Sequence, residues 1–183
     1  ALLPGHRLHL QHGPIDLVIK AGGAAASVNR AYRAARERFR SVLGELVAEL
    51  AVLRAPLHGD RRPLVESAIA MDMVAVCWPH RAVFITPMAA VAGSVADAIS
   101  QAMLKAVPEL DTLSVNNGGD IALHVAEGHE LKVGIVADLV RAVPEGTITI
   151  ASDTGIGGIA TSGWRGRSFS LGIADAVTVL APT

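Results

Sequence analysis

Residues 113–125 read LSVNNGGDIALHV. Apolar runs flank a glycine pair, Gly118-Gly119, which ends on one carboxylate, Asp120, and this arrangement predicts two strands joined by a tight turn. Working outward, the same short apolar stretches recur downstream as LKVGIV (131–136), TITIAS (147–152), GIATSGW (158–164), SFSLGI (168–173) and AVTVLA (176–181), separated by Gly, Asn or Asp. Such spacing predicts an antiparallel meander. Upstream the period changes. Val28, Ala31, Ala35, Phe39, Val42, Leu46 and Leu50 fall three or four apart, so a long amphipathic helix is expected from Ser27, its candidate cap, to about Leu53.

The rest of the chain fills in around these elements. HRLHLQHGPIDLVIKA (6–21) alternates apolar and polar residues on either side of Gly13-Pro14, a hairpin pattern. Residues 64–76 are apolar enough for a buried helix, WPHRAVFIT (78–86) reads as a turn and short strand, and a further helix should start near Pro87 or Ser94 and stop at Pro108. Helices early and strands late define an α+β class in one domain.

Composition narrows the function. The chain has 183 residues, 16 Lys+Arg against 17 Asp+Glu, and 3% aromatic residues, so it lacks the basic field and stacking platform of a nucleic-acid binder. A single cysteine, Cys77, excludes an internal disulfide framework and a multi-thiolate zinc site and fits a reducing, cytoplasmic setting. The longest uncharged run, 82–96, is 15 residues and contains Pro87 and Gly93, short of the roughly 20 apolar residues of a membrane span.

Two glycine-rich loops remain as candidate chemistry: VNNGGDI (115–121) and DTGIGGIATSGWRGRSFS (153–170). Glycine lets backbone approach a ligand closely. The GIGG segment resembles part of a dinucleotide fingerprint, but IATSG continues as strand where that motif needs a helix, and Ala160 stands where a nucleophile elbow needs glycine. What is left is a set of amides and hydroxyls suited to a phosphate or the polar edge of a planar ring. Trp164 offers an indole to cover such a ring, and Arg165 and Arg167 offer guanidiniums for a pyrophosphate. His6, His9 and His12 are spaced by three, which on a strand sends His9 to the opposite face, so they read as solvated strand histidines. His124 and His129 flank a turn, and Cys77 reads as a small buried hydrophobe.

ITPMAAVAGSVADAI (85–99), VNNGGDIAL (115–123) and the block 153–182 together resemble an ApbE-like family related to the FAD:protein FMN transferases, formerly called thiamine-biosynthesis lipoproteins. The resemblance covers nearly the whole chain. It implies a T-fold-like architecture, an antiparallel sheet packed on two or three helices, together with FAD or FMN as cofactor and magnesium assisting transfer of FMN to a protein threonine or serine. The transferase motif GGDI is similar to Gly118, Gly119, Asp120 and Ile121, and ATSG to Ala160, Thr161, Ser162 and Gly163. Of AKGYAVD, Gly93 and Asp97 are kept, while Ala92 and Ser94 replace the lysine and tyrosine; the HIIDP segment is absent.

The resemblance thus implies Asp120 as the catalytic carboxylate and metal partner, with the Val91 carbonyl as a second metal ligand. It implies a flavin bound by Asn117, Gly118, Gly119, Gly158, Thr161, Ser162, Gly163, Trp164 and Arg165. Asp153 and Asp175 are further carboxylate candidates. A helix N-terminus in the 85–99 block is expected against the site. The transferases also carry a C-terminal helix with a metal-binding aspartate and threonine, which this sequence does not reach, so a weak magnesium site, an apolar groove beside residues 176–180 and a homo-oligomer are expected. An enzyme acting on another planar heterocycle, a pterin or purine, and a non-catalytic flavin or nucleotide carrier are the alternatives.

Overall fold

The structure is a computed structural model that describes residues 1–135, 146–163 and 177–182. Its main element is a seven-stranded antiparallel sheet, in the order β1 (Leu2–Leu3), β2 (Arg7–His12), β3 (Ile15–Gly22), β4 (Thr112–Asn117), β5 (Asp120–Val125), β8 (Gly158–Ser162) and β9 (Val177–Ala181). Two further strands, β6 (Glu130–Ile135) and β7 (Gly146–Ala151), form a separate ribbon. The α+β class is as expected. The single meander is corrected: the chain leaves the sheet after β5, builds the ribbon, and returns as β8 beside β5.

Strand alternation sorts the residues between two cores. On one face Leu17, Ile19, Leu113, Val115 and Ala122 are buried beneath α1 (Ala25–Ala48) and α4 (Val91–Ala106), with Val42, Ile99 and Met103 supplied by the helices. On the other face Leu123, Ile150 and Ile159 pack with Ile121, Leu131, Val133 and Leu180, so the ribbon covers the β5–β8–β9 end of the sheet. One large core on the helix side and a smaller one on the ribbon side hold β5 from both directions.

The helices follow their sequence pattern with shifted ends. α1 buries Ala31, Tyr32, Ala35, Phe39, Val42 and Leu46, a three-to-four-residue stripe. It starts two residues before the expected cap. Ala24 holds the cap position without a side-chain bond, and Ser27 is instead buried inside the first turn, donating to Glu109 Oε1 at 2.9 Å. Tyr32 then pins the helix to the sheet, its hydroxyl donating to the His6 carbonyl at 2.6 Å and accepting from the Ala21 amide at 3.3 Å.

After the short helix α2 (Leu50–Leu53) the chain runs to α3 (Ala68–Cys77), capped by the Ser67 hydroxyl. The expected strand within 78–86 is corrected. Trp78–His80 is a 3-10 turn with Pro79 near its start, and the amides of Arg81 and Val83 bond back to the carbonyls of Trp78 and His80. Local turns use the donors that a strand partner would have taken. Val83 and Phe84 stay exposed as a result. Cys77 is a buried thiol, as its apolar neighbours predict, and burial raises its pKa. The reading of three solvated strand histidines is corrected in part: His6 lies in the turn before β2 at φ 56°, His9 on β2 pairs with Asp16 at 2.8 Å, and His12 at the end of β2 meets the Phe39 ring edge-on.

Candidate functional site at the start of β5

Two glycines set the geometry. Asn117 and Asp120 pair across the β4–β5 hairpin, with Gly118 at φ 65° and Gly119 at φ 110° between them. Positive φ at both central residues is the requirement of a type I′ turn, which matches the twist of the flanking strands. The Gly119 amide donates to Asn116 Oδ1 at 3.0 Å, fixing the turn from inside.

The hairpin tip meets two other elements. Asn117 is buried on the helix side, and its Nδ2 donates to the Ala92 carbonyl in the first turn of α4 at 3.1 Å. Asp120, next on the same face, accepts from the Thr161 amide at 3.3 Å through Oδ1. Its Oδ2 lies 4.0 Å from the position a Cβ on Gly93 would take. The carboxylate therefore sits between β8 and the start of α4, and the absence of a side chain at Gly93 lets the helix come this close. Burial pushes the Asp120 carboxyl above the ordinary aspartate range, and the amides of Thr161 and Gly93 offset part of that rise.

The other sequence candidates divide by position. Val91 is the first residue of α4, directly before Ala92. Gly158 lies in β8 between Ala122 and Ala181. Alternation puts Ala160 and Ser162 on the Asp120 side of β8 and turns Thr161 to the other side, where its hydroxyl meets that of Thr178 at 3.0 Å. Thr161 thus faces Asp120 with its amide and not its hydroxyl. Gly163 follows β8 and is half-buried. Trp164, Arg165, Arg167 and Asp175 lie outside the described residues. Asp153 stands beside Ser152 and His129 near the turn after β5, at the far end of that strand from Asp120.

The floor of the site is an exposed apolar surface beside residues 176–180, where an apolar groove was expected, and the β8–β9 register adds Ala160 to it. Ala160, Val177 and Val179 share the helix-side face of β8 and β9. Val177 is 53% and Val179 55% exposed. They make an open apolar shelf beside Asp120. Alternation within AVTVLA marks which residues share a face, but the pairing that brings the face beside Asp120 spans β5, β8 and β9 and has no local signal.

Among the described residues no three His, Cys, Asp or Glu side chains are grouped to hold a metal ion. Asp120 is a single carboxylate with one oxygen already accepting a backbone amide. Asp97, one turn along α4 from Gly93, is raised by burial and then by the charge of Asp72 on α3. Its electrostatic neighbour is on α3, not in the hairpin.

A glycine hairpin, a half-buried carboxylate, a helix start and an open apolar shelf at one end of an antiparallel sheet define an α+β domain with one polar and one apolar wall at a common edge. The family model described as AbpE bacteria, an ApbE-like family name, matches residues 1–183, and the chain belongs to that family. No curated protein matches it. No helix among the described residues is long and apolar enough to cross a membrane.

Proposed function

We propose that the chain binds a flavin nucleotide at this edge, with the isoalloxazine on the Ala160–Val177–Val179 shelf and the phosphates toward Asp120 and the first turn of α4. The carrying observation is the position of Asp120, a carboxylate raised by burial and held by the Thr161 amide beside the glycine start of α4. The shelf supplies an uncovered apolar area next to a polar wall, the combination a ring linked to a pyrophosphate needs.

The donor set suits magnesium as an ion brought in with phosphate: one carboxylate, with remaining positions left to phosphate oxygens and water, is a usual magnesium arrangement. Asp120 would hold that ion through Oδ2, and when bound the ion neutralises charge on the phosphoryl oxygens. In the transfer reaction a threonine or serine hydroxyl of an acceptor protein attacks the phosphorus of the FMN half of FAD. The new oxygen–phosphorus bond replaces the bond to AMP, which leaves. The hydroxyl proton would pass to solvent or to a phosphate oxygen, with Asp120 kept as the ligand that would hold the ion.

A second reading, a flavin carrier without turnover, is favoured by Ala92 and Ser94 standing where the transferases have lysine and tyrosine. Titration with FAD and magnesium tests both. Saturable quenching of flavin fluorescence with release of AMP in the presence of an acceptor peptide supports transfer, and quenching without AMP supports the carrier. No saturable flavin binding at millimolar protein overturns both.

A further inference from the structure

The outer face of α1, on the far side of that helix from the sheet, has a different character from the rest of the molecule. Arg30, Arg33, Arg36 and Arg40 fall three or four residues apart, all exposed, on the face opposite the buried stripe. Arg30 pairs with Glu109, and Arg40 with Glu37 at 2.6 Å. Arg33 and Arg36 have no partner among the described residues. With Ala26 and Asn29, three of the arginines line a shallow depression open to solvent. Like charges at this spacing repel along a helix, and the chain as a whole carries a net charge of -1. The row is thus a local concentration of positive charge in which Arg30 and Arg40 are offset by Glu109 and Glu37 while Arg33 and Arg36 face solvent.

Gly44 and Val47 continue the same face, one and two turns beyond Arg40. Glycine inside a helix is a poor choice unless something needs the space. Nothing in the described structure does: no atom lies within 4 Å of the position a Gly44 Cβ would occupy. Val47 beside it is 57% exposed. A positive row followed by a side-chain-free notch and an exposed apolar residue has the charge, close-approach and apolar parts of a helix-packing surface.

We propose that this face docks an acidic helical segment of a partner protein, carboxylates against the arginine row and backbone close to Gly44. Charge complementarity selects an acidic partner. The notch selects polypeptide: a phosphate polymer has no use for a missing Cβ, and a membrane surface would need α1's apolar stripe, which is locked in the core. A second copy of this face presents the same positive row and supplies no complementary charge.

The test uses the intact chain and a fluorescent, helix-stapled peptide bearing glutamates at i, i+3, i+7 and i+10 with leucine one turn beyond. Saturable anisotropy that weakens about tenfold in Arg33→Glu/Arg36→Glu, and also weakens as salt rises, is expected. Gly44→Leu should weaken binding at least about fivefold while raising the thermal midpoint, since leucine is the better helix former; a merely structural glycine would not separate these readouts. The proposal is overturned by absence of saturable binding, or by binding indifferent to Gly44→Leu. Equally tight binding of phosphatidylserine vesicles or inorganic polyphosphate also overturns it, as does a dimer in sedimentation that Arg33→Glu abolishes.

Discussion

The Thr161 amide donates to the Asp120 carboxylate at 3.3 Å, joining residues 41 apart in sequence. This bond does more than link two strands. It engages Oδ1, while Oδ2 faces Gly93 at the start of α4, whose amide also favours the carboxylate, so backbone from β8 and from α4 together orients Asp120.

Asp120→Asn should separate stability from function. The folded-state pKa of Asp120 lies above its value in the unfolded chain, so its contribution is favourable at low pH and is lost as pH rises through the folded pKa. Asparagine keeps an acceptor for the Thr161 amide without the charge. The variant should therefore be more stable at pH 8, by up to about 1 kcal/mol since the group is partly open to water, and should lose the proposed transfer. Urea midpoints at pH 4 and pH 8 measure the first effect. A variant less stable than the parent at pH 8 contradicts the burial argument.

Glu49→Ala should show the opposite slope. Glu49 accepts from the Ser67 hydroxyl at 2.6 Å and its amide at 3.1 Å, tying the end of α1 to the cap of α3. The Ser67 hydroxyl, followed by the Glu66 and Ser67 amides, lowers its pKa. Its stabilisation is present above the unfolded carboxylate pKa and lost as pH falls through the depressed folded value. The loss in the variant should be about 0.5–1 kcal/mol at pH 7, the low end for a capping group because this one is exposed, and should shrink as the solution is acidified. Parallel denaturation curves for parent and variant at all pH values would remove the pair from the account.

At the hairpin, Gly118→Asn and Gly119→Val should differ. Asparagine tolerates the φ of 65° at Gly118, where open space surrounds a Cβ. Valine at Gly119 must adopt φ 110° and meets the backbone and side chain of Thr161 at 4.0 Å. The first change should cost under about 0.5 kcal/mol and the second about 1–3 kcal/mol. Thermal midpoints decide it, and equal losses would mean the turn is not of this type.

The glycines also show what a sequence discloses. NNGGD between apolar runs specifies its turn locally, so the hairpin and the place of Asp120 at its exit were legible. The helix stripe of α1 was legible for the same reason, while its cap was not, because Ser27 found a better partner in Glu109, 82 residues away. β6 and β7 alternate like any other strands, and nothing in their own residues states that they leave the main sheet for a ribbon. Within DTGIGG, glycine density pointed to a ligand, yet Gly157 has a packing reason. A Cβ there would stand 2.1 Å from the Pro182 carbonyl oxygen, where β9 crosses the start of β8. Gly157→Ala should therefore destabilise by about 1–3 kcal/mol, as overpacking does, and a neutral result would show that β9 does not close against this strand.

The shelf separates binding from folding most cleanly. Val177 and Val179 are more than half exposed on the helix-side face of β9, so replacing Val179 by lysine removes little buried area and should change stability by no more than about 0.5 kcal/mol. A flavin ring lying on that face would lose its apolar contact and meet a solvated ammonium in its place. The expected result for Val179→Lys is a flavin dissociation constant raised about tenfold, roughly the effect of burying one fewer aliphatic side chain, with an unchanged urea midpoint. Val18→Thr, on the opposite sheet face in β3, serves as the control and should leave flavin binding alone. If Val179→Lys binds flavin as tightly as the parent, the ring does not lie on β8 and β9, and the ligand must be sought on the other side of Asp120, toward α4.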